Sequence, residues 1–285
     1  MNESKDSVLR SITNDGGFRV IVASTSDTVR SIAEAQRATG KTAANLGELV
    51  TGTILVRETM SPQYRVQGIL RGEGNRGSLV ADAHPDGTSR GLMNRPVDMA
   101  EVGLGSGALL QMMRTLSTGQ IHQGVVSLEG LRSLSEAMMH YMQTSEQVTS
   151  LIEVACTVDD QGRVAAAGGY VVQLLPELSE EMLAIMTERL TDFVPMRELL
   201  CHGTMGPAEL TAELLYGMPY SVTEGTPLRF GCYCSHERMV AGLATLQKHD
   251  LEDLRHAGKD LEISCDFCRV DYRVTPGQIG ELVAE

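Results

Sequence analysis

Residues 230–239 read FGCYCSHERM and residues 262–274 read EISCDFCRVDYRV. Together they set Cys232-x-Cys234 thirty residues before Cys265-x-x-Cys268. Four thiols offered as two close pairs match the tetrahedral, all-sulfur shell that Zn2+ favours. Soft sulfur donors exclude Mg2+ and Ca2+, while an iron–sulfur cluster is the other occupant that four cysteines admit. The spacing therefore predicts a small metal-binding module over residues 230–285, with Cys232, Cys234, Cys265 and Cys268 as ligands.

The first pair is unusual for a plain structural site. A disulfide between residues two apart closes a very small ring, in which relaxed torsions are hard to reach. Strained disulfides are readily reduced again, which suits a switch better than a staple. Thiolates held by a metal are also the oxidisable form of cysteine. A module of this size has a core contributing a few kcal/mol at best, whereas a structural zinc contributes on the order of 10–16 kcal/mol. Loss of the metal is expected to unfold the module.

Upstream, the chain changes character at Pro176. Ser179 is a good N-cap, followed by Glu180 and Glu181 in a first turn and by Met182, Leu183, Met186 and Leu190. Pro195 and Pro207 suit further helix starts, and Gly203 and Gly217 suit stops. This pattern predicts three short amphipathic helices over 178 to about 226, each too short to be stable alone. Residues 178–229 are accordingly expected to form a helical linker. Residues 1–177 interleave strands and helices. FRVIVAS (18–24) and SLVADA (78–83) read as strands, 29–39 and 42–56 as helices, and 129–142 as a helix. Residues 152–174 read as a hairpin turning at Asp159-Asp160-Gln161-Gly162. In the second helix Leu46, Leu49, Val50 and Ile54 share one stripe. The expected fold class is α+β: an N-terminal mixed β-sheet and helix core domain, a helical linker and a small C-terminal zinc-binding domain.

The whole chain sets the limits. It has 285 residues, 42% hydrophobic and 21% charged, which excludes global disorder. Lys+Arg 24 against Asp+Glu 37 gives a formal net charge of −13. Such a surface repels phosphate backbones, and residues 232–285 carry six Lys/Arg against ten Asp/Glu, so nucleic acid is not an expected partner. No apolar run approaches the ~18–20 residues that cross a bilayer, and the first residues lack a secretory pattern. The expected location is cytoplasmic, away from membranes, where clustered cysteines point to metal or redox chemistry.

At this point the chain resembles the heat shock protein 33 family of redox-regulated holdase chaperones. That family carries Cys-x-Cys, a spacer of about thirty residues and Cys-x-x-Cys near its C-terminus. The stretches ANLGELVTGTILV, YRVQGILRGEG, SLVADAHPDGTSRGLM, HQGVVSLEG, HYMQTSEQVTS and GGYVVQLLPEL extend the resemblance over nearly the whole sequence. The chain departs from the family pattern at Glu48, where the family often has Arg, and at Val148-Thr149-Ser150, where a proline usually stands nearby. The resemblance implies a reduced, inactive form binding one Zn2+ through four thiolates. It implies that hypochlorous acid, or peroxide with unfolding stress, oxidises them, pairing Cys232 with Cys234 and Cys265 with Cys268 and releasing zinc. The module and linker then unfold, the chain forms a homodimer, and unfolded client proteins are held without ATP. No Gly-x-x-x-x-Gly-Lys-[Ser/Thr] loop is present, in keeping with that expectation.

Two other functions compete on the residues. A constitutive zinc-binding adaptor would bind a partner through the folded module. A thiol–disulfide oxidoreductase would need its Cys-x-x-Cys at a helix N-terminus, whereas Cys268 runs into the strand pattern VDYRV. The chain is therefore expected not to be an enzyme. Gly103-x-Gly105-x-Gly107 lacks the full nucleotide fingerprint and reads as a turn. Cys156, alternating with Val154 and Val158, reads as a buried apolar residue; Cys201 reads as a helix-end residue. His236, His249 and His256 are not needed as ligands beside four sulfurs.

Overall fold

The computed structural model describes residues 6–176, 179–203 and 205–284. The chain divides into two compact units, Met1–Phe230 and Gly231–Glu285.

In chain order the first unit contains β1 (Ser7–Thr13), β2 (Phe18–Ser24), α1 (Ser26–Gln36), α2 (Gly40–Glu58), β3 (Arg65–Arg71), β4 (Ser78–Ala83), β5 (Thr88–Asn94), β6 (Leu109–Thr115) and β7 (Ile121–Ser127). It continues with α3 (Leu134–Tyr141), β8 (Ser150–Val158), β9 (Val164–Leu174), α4 (Glu180–Asp192), α5 (Met196–His202), α6 (Pro207–Leu214), β10 (Tyr220–Pro227) and β11 (Arg229–Phe230). Two sheets result. One has the order β10-β1-β2-β9-β8, and the other β11-β5-β4-β3-β6-β7. All pairs are antiparallel except β11 with β5.

α2 lies between the sheets, and this explains its composition. The sequence stripe predicts one buried face, but fifteen of its nineteen residues are buried, including Ala43, Leu55 and Val56 off the stripe. A helix enclosed on both sides has no solvent face to keep polar. Gly47 is set by close approach: a Cβ there would lie 2.5 Å from Cys156 Sγ and 2.7 Å from Val29 Cγ1. The main core gathers α1, α2, α3 and the inner faces of both sheets, with Ile21, Ile32, Leu46, Leu49, Leu70, Leu79 and Leu110 fully buried.

A second core forms on the opposite face of the five-stranded sheet. Phe18, Val20, Val22, Tyr170 and Val172 pack there against Met186, Met196, Leu200, Leu210 and Leu214 of the three helices. β2 is thus apolar on both faces from Val20 to Ala23, which is why VIVA reads as an unbroken run. α4 begins at the expected cap, Ser179, whose Oγ accepts from Met182 N at 3.2 Å. Glu153 of β8 anchors α5: its carboxylate accepts from Met196 N at 2.7 Å and from the Tyr170 hydroxyl at 2.6 Å. The Tyr170 ring in turn meets Phe193 edge-on, centroids 5.9 Å apart. Glu48, at one of the departures from the family pattern, receives Arg197 of α5 at 2.9 Å. Burial pushes the Glu48 carboxyl above its ordinary range, and Arg197 opposes that push.

Helices expected to about residue 226 end at Leu214. Beyond Gly217 the chain runs as β10, paired with β1 along Ser7↔Pro227 to Thr13↔Tyr220. Tyr220, Val222 and Thr223 are aromatic or β-branched and suit a strand once Gly217 has ended the helix. No helix among the described residues is long and apolar enough to cross a membrane.

Gly47→Ala should destabilise the first unit. The gain in helix propensity is about 1 kcal/mol, but overpacking against Cys156 and Val29 costs about 1–3 kcal/mol. A net loss near 1 kcal/mol lowers Tm by about 2–4 °C. Adding Cys156→Ala should return part of that loss, and calorimetry of the single and double variants measures both effects.

Candidate metal centre

The second unit is built from α7 (His236–Leu243), α8 (Lys248–His256), β12 (Leu261–Ser264), β13 (Asp271–Val274) and α9 (Pro276–Ala284). Ser235 caps α7, its Oγ accepting from Arg238 N at 3.3 Å. Gln247 stands at the cap of α8, with Asp250 in its first turn. The apolar core is small: Leu243, Leu251, Val274 and Ile279 are buried, with Val240, Leu254, Leu261 and Ile263 partly so.

β12 and β13 pair from Leu261↔Val274 to Ser264↔Asp271, so Cys265 to Val270 form the connecting turn. Two backbone bonds close it, Cys265 N to Val270 O at 2.9 Å and Arg269 N to Cys265 O at 2.8 Å. Arg269 takes the left-handed conformation, φ 58°, that this tight reversal needs. The turn carries Cys265 and Cys268 on one side. The segment entering α7 brings Cys232 and Cys234 to meet them.

The four sulfurs lie within 4.8 Å of one another. Cys232 Sγ is 3.7 Å from Cys265 Sγ, and Cys234 Sγ is 3.3 Å from Cys268 Sγ. Zinc–sulfur bonds of about 2.3 Å in a tetrahedron set neighbouring sulfurs about 3.8 Å apart. The cluster has the dimensions of such a shell, and all four cysteines are free thiols. Cys265 is buried and the other three half-buried. Among the described residues this is the one group of three or more metal-binding side chains close enough to hold an ion. Sequence-predicted Cys232, Cys234, Cys265 and Cys268 are thus brought together. Their proximity makes them able to hold a metal ion.

The electrostatics suit a cation. Burial, joined by the neighbouring sulfurs of Cys234 and Cys265, pushes the Cys268 thiol up to about 12. Burial also raises Cys265, against the backbone N–H groups of Cys268 and Phe267 that donate to its sulfur. Four thiolates this close repel one another, and a positive charge at their centre reverses that cost. One contributor had no signal in the sequence. The Tyr272 hydroxyl donates to Cys234 Sγ at 3.0 Å, reaching back from β13 to the far pair. That bond pushes the Tyr272 hydroxyl up to about 12.

The remaining candidates lie elsewhere. Cys156 is buried in the main core, where burial and then Glu48 push its thiol up to about 12, and it behaves as an inert apolar residue. Cys201 is exposed on α5, next to the helix end. His236 Nε2 lies 3.1 Å from Arg273 O, and His256 Nδ1 lies 2.7 Å from Glu252 O. Gly103 to Gly107 form a turn leading into β6, with Gly107 at φ 74°.

Comparison with known proteins agrees with this arrangement. The Hsp33 protein family matches residues 6–275. A 33 kDa chaperonin of Syntrophotalea carbinolica is 31% identical, over 98% of this chain and 100% of its own length. One of Bacillus pumilus is 27% identical, over 98% and 99%. The crystal structure of a 33 kDa chaperonin, a heat shock protein 33 homolog, from Thermotoga maritima shares the fold with a TM-score of 0.83. It is 21% identical, covering 99% of this chain and 98% of that one.

Tyr272→Phe removes a hydrogen bond that positions Cys234. Partners of this kind are worth about 10–100-fold in metal affinity. The variant should bind Co2+ about 10-fold more weakly, read from the sulfur-to-cobalt charge-transfer band in a chelator competition, while Cys156→Ala leaves that band unchanged.

Proposed function

This chain belongs to the Hsp33 protein family, and from that premise we propose that it is an ATP-independent holdase chaperone activated by oxidation. The observation that carries the reading is the four-sulfur cluster closing a unit with very little core. We assign the site to Zn2+, held by Cys232, Cys234, Cys265 and Cys268. Bound there, Zn2+ would keep all four sulfurs as thiolates and tie the Cys232 end of the unit to the Cys265 turn.

The chain's own residues supply the response. Thiolates give up electrons readily. Each disulfide formed releases two electrons, which with two protons reduce one H2O2 to two waters. Following the family, Cys232 pairs with Cys234 and Cys265 with Cys268. Pairing within each group leaves no bond between the two groups, so closure of the unit is lost. The four buried side chains of its core cannot replace it.

We divide the chain functionally into a core domain (1–177), a linker (178–229) and the redox module (230–285). The linker's helices cover an apolar sheet face that includes Phe18, Val20, Val22 and Tyr170. Unfolding of module and linker uncovers that face, the activated chain pairs as a homodimer, and unfolded or oxidatively damaged clients are held there against aggregation. The acidic charge keeps such an exposed surface soluble. The reading places the protein in the cytoplasm, with no nucleic-acid or membrane partner. It also makes the protein a non-enzyme. Cys265 to Cys268 turn between two strands, with no helix N-terminus to lower a catalytic thiol's pKa.

The test is suppression of citrate synthase aggregation, followed by light scattering, with zinc release read by a chromogenic chelator. Peroxide with mild heat should free about one zinc per chain, and scattering should fall only after that release. Equal suppression by reduced protein would make the module a constitutive zinc-binding adaptor. Insulin reduction above background would revive an enzymatic role.

A further inference from the structure

All five methionines of residues 178–229, Met182, Met186, Met196, Met205 and Met218, turn onto one surface, the second core over the five-stranded sheet. The sheet residues in that core, Phe18, Val20, Val22, Tyr170 and Val172, carry no sulfur. Thioethers are thus concentrated on the helical side of the contact, the side whose helices bury least. Met196 shows how closely one is seated: its Cε lies 3.0 Å from the point where a Cβ on Gly168 would stand.

The five differ in reach. Met186, Met196 and Met218 are 2%, 4% and 6% exposed. Met182 and Met205 are half-buried at the rim, packed on the core on one side and open to solvent on the other. Both stand where the loss of a contact matters. Met182 lies one turn before Met186, the one buried residue of α4. Met205 directly precedes Gly206, the N-cap of α6. The buried methionines of the main core, Met112, Met138 and Met142, are 1% exposed or less, out of reach of a dissolved oxidant.

We propose that Met182 and Met205 are sites of oxidative modification, and that their sulfoxides loosen α4 and α6 from the sheet independently of the cysteines. Hypochlorous acid is the oxidant. Its oxygen passes to the thioether sulfur: an S–O bond forms as the O–Cl bond breaks, the sulfur gives up two electrons, and H+ and Cl− leave. A flexible apolar side chain becomes a polar one. At the rim the new oxygen is either buried without a donor or carries the side chain out to water, and contact with the core is lost in both cases. Once the rim lifts, Met186 and Met218 come within reach of the same reaction. The use of such sites rests on the holdase reading. Thiol reductants return a disulfide to thiols but leave a sulfoxide, which methionine sulfoxide reductases remove. The modified chain therefore keeps its sheet face uncovered after its cysteines are reset.

The test treats zinc-loaded full-length protein with hypochlorous acid, then with dithiothreitol and Zn2+ to restore the four thiolates. Hydrogen exchange across α4, α5 and α6 is read before and after, and peptide mass spectrometry locates added oxygen. Wild type should carry an oxygen on Met182 and on Met205. Its α4 and α6 amides should still exchange about 10-fold faster than in the resting protein, as ~1.4 kcal/mol of lost contact gives. Met182→Leu with Met205→Leu conserves volume and removes both sulfurs, and this variant should return to its own resting rate. Methionine sulfoxide reductases A and B should return wild type too, a readout that holds even where the variant misfolds. The proposal is overturned by absence of oxygen on the two methionines, by full return of wild type while both still carry it, or by equal residual exchange in wild type and variant. Citrate synthase aggregation is followed on the same samples. Oxidised wild type that fails to suppress it, while exchange behaves as expected, overturns the holdase reading and leaves the two methionine sites standing.

Discussion

Repulsion among four sulfurs is the constraint on which the second unit turns. Cys232, Cys234, Cys265 and Cys268 sit within 4.8 Å of one another, at the meeting point of a loop and a tight turn. Ionised, they repel; protonated, they are weak ligands and weak nucleophiles. A cation at the centre would make the ionised set the stable one and tie together two stretches thirty residues apart. Leu243, Leu251, Val274 and Ile279 could not do so by burial. The tyrosine bonded to Cys234 extends the same logic outward, because a donor to sulfur steadies a thiolate without competing for the ion.

The first unit is organised on another principle and shows a gradient within itself. Its main core encloses α2 between two sheets and holds most of the fully buried large side chains. Its second core is thinner. Of α4's thirteen residues Met186 is the one that is buried, and Leu183 and Ile185 remain about 40% exposed. Polar anchors therefore matter more here than in the main core. Glu153 holds the start of α5, and Glu48 reaches Arg197. A layer held by partial burial and a few carboxylates opens at lower cost than the sheets beneath it.

What the sequence made legible follows the same physics. The four metal-binding cysteines could be read because thiol spacing maps directly onto coordination geometry. β2 and β4 could be read to the residue, since their apolar runs are bounded by turn formers. α2 was legible as a helix but not as a fully enclosed one, because its stripe says nothing of a second sheet on the other side. β10 was read as helix: its partner β1 lies more than 200 residues away, and an exposed edge strand carries no alternating pattern. β7 is also an exposed edge, while β1 and β5 lack a clean apolar–polar alternation. The Tyr272 bond to Cys234 had no local signature, since it joins residues 38 apart.

The two units divide stability in a way that permits one to be lost without the other. A structural metal is worth on the order of 10–16 kcal/mol, more than the few kcal/mol a core of this size supplies. With a metal bound there, as we propose, folding of the second unit and occupation of its site would be one equilibrium, and whatever removes the thiolates would move both. The main core of the first unit contains none of the four cysteines; its one thiol, Cys156, is buried and held protonated. Under the proposed reading, an oxidant that consumes the sulfurs of the cluster finds no reactive sulfur in the main core. Under that reading, separation of chemistry from burial would let a single chain stay folded at one end while it opens at the other.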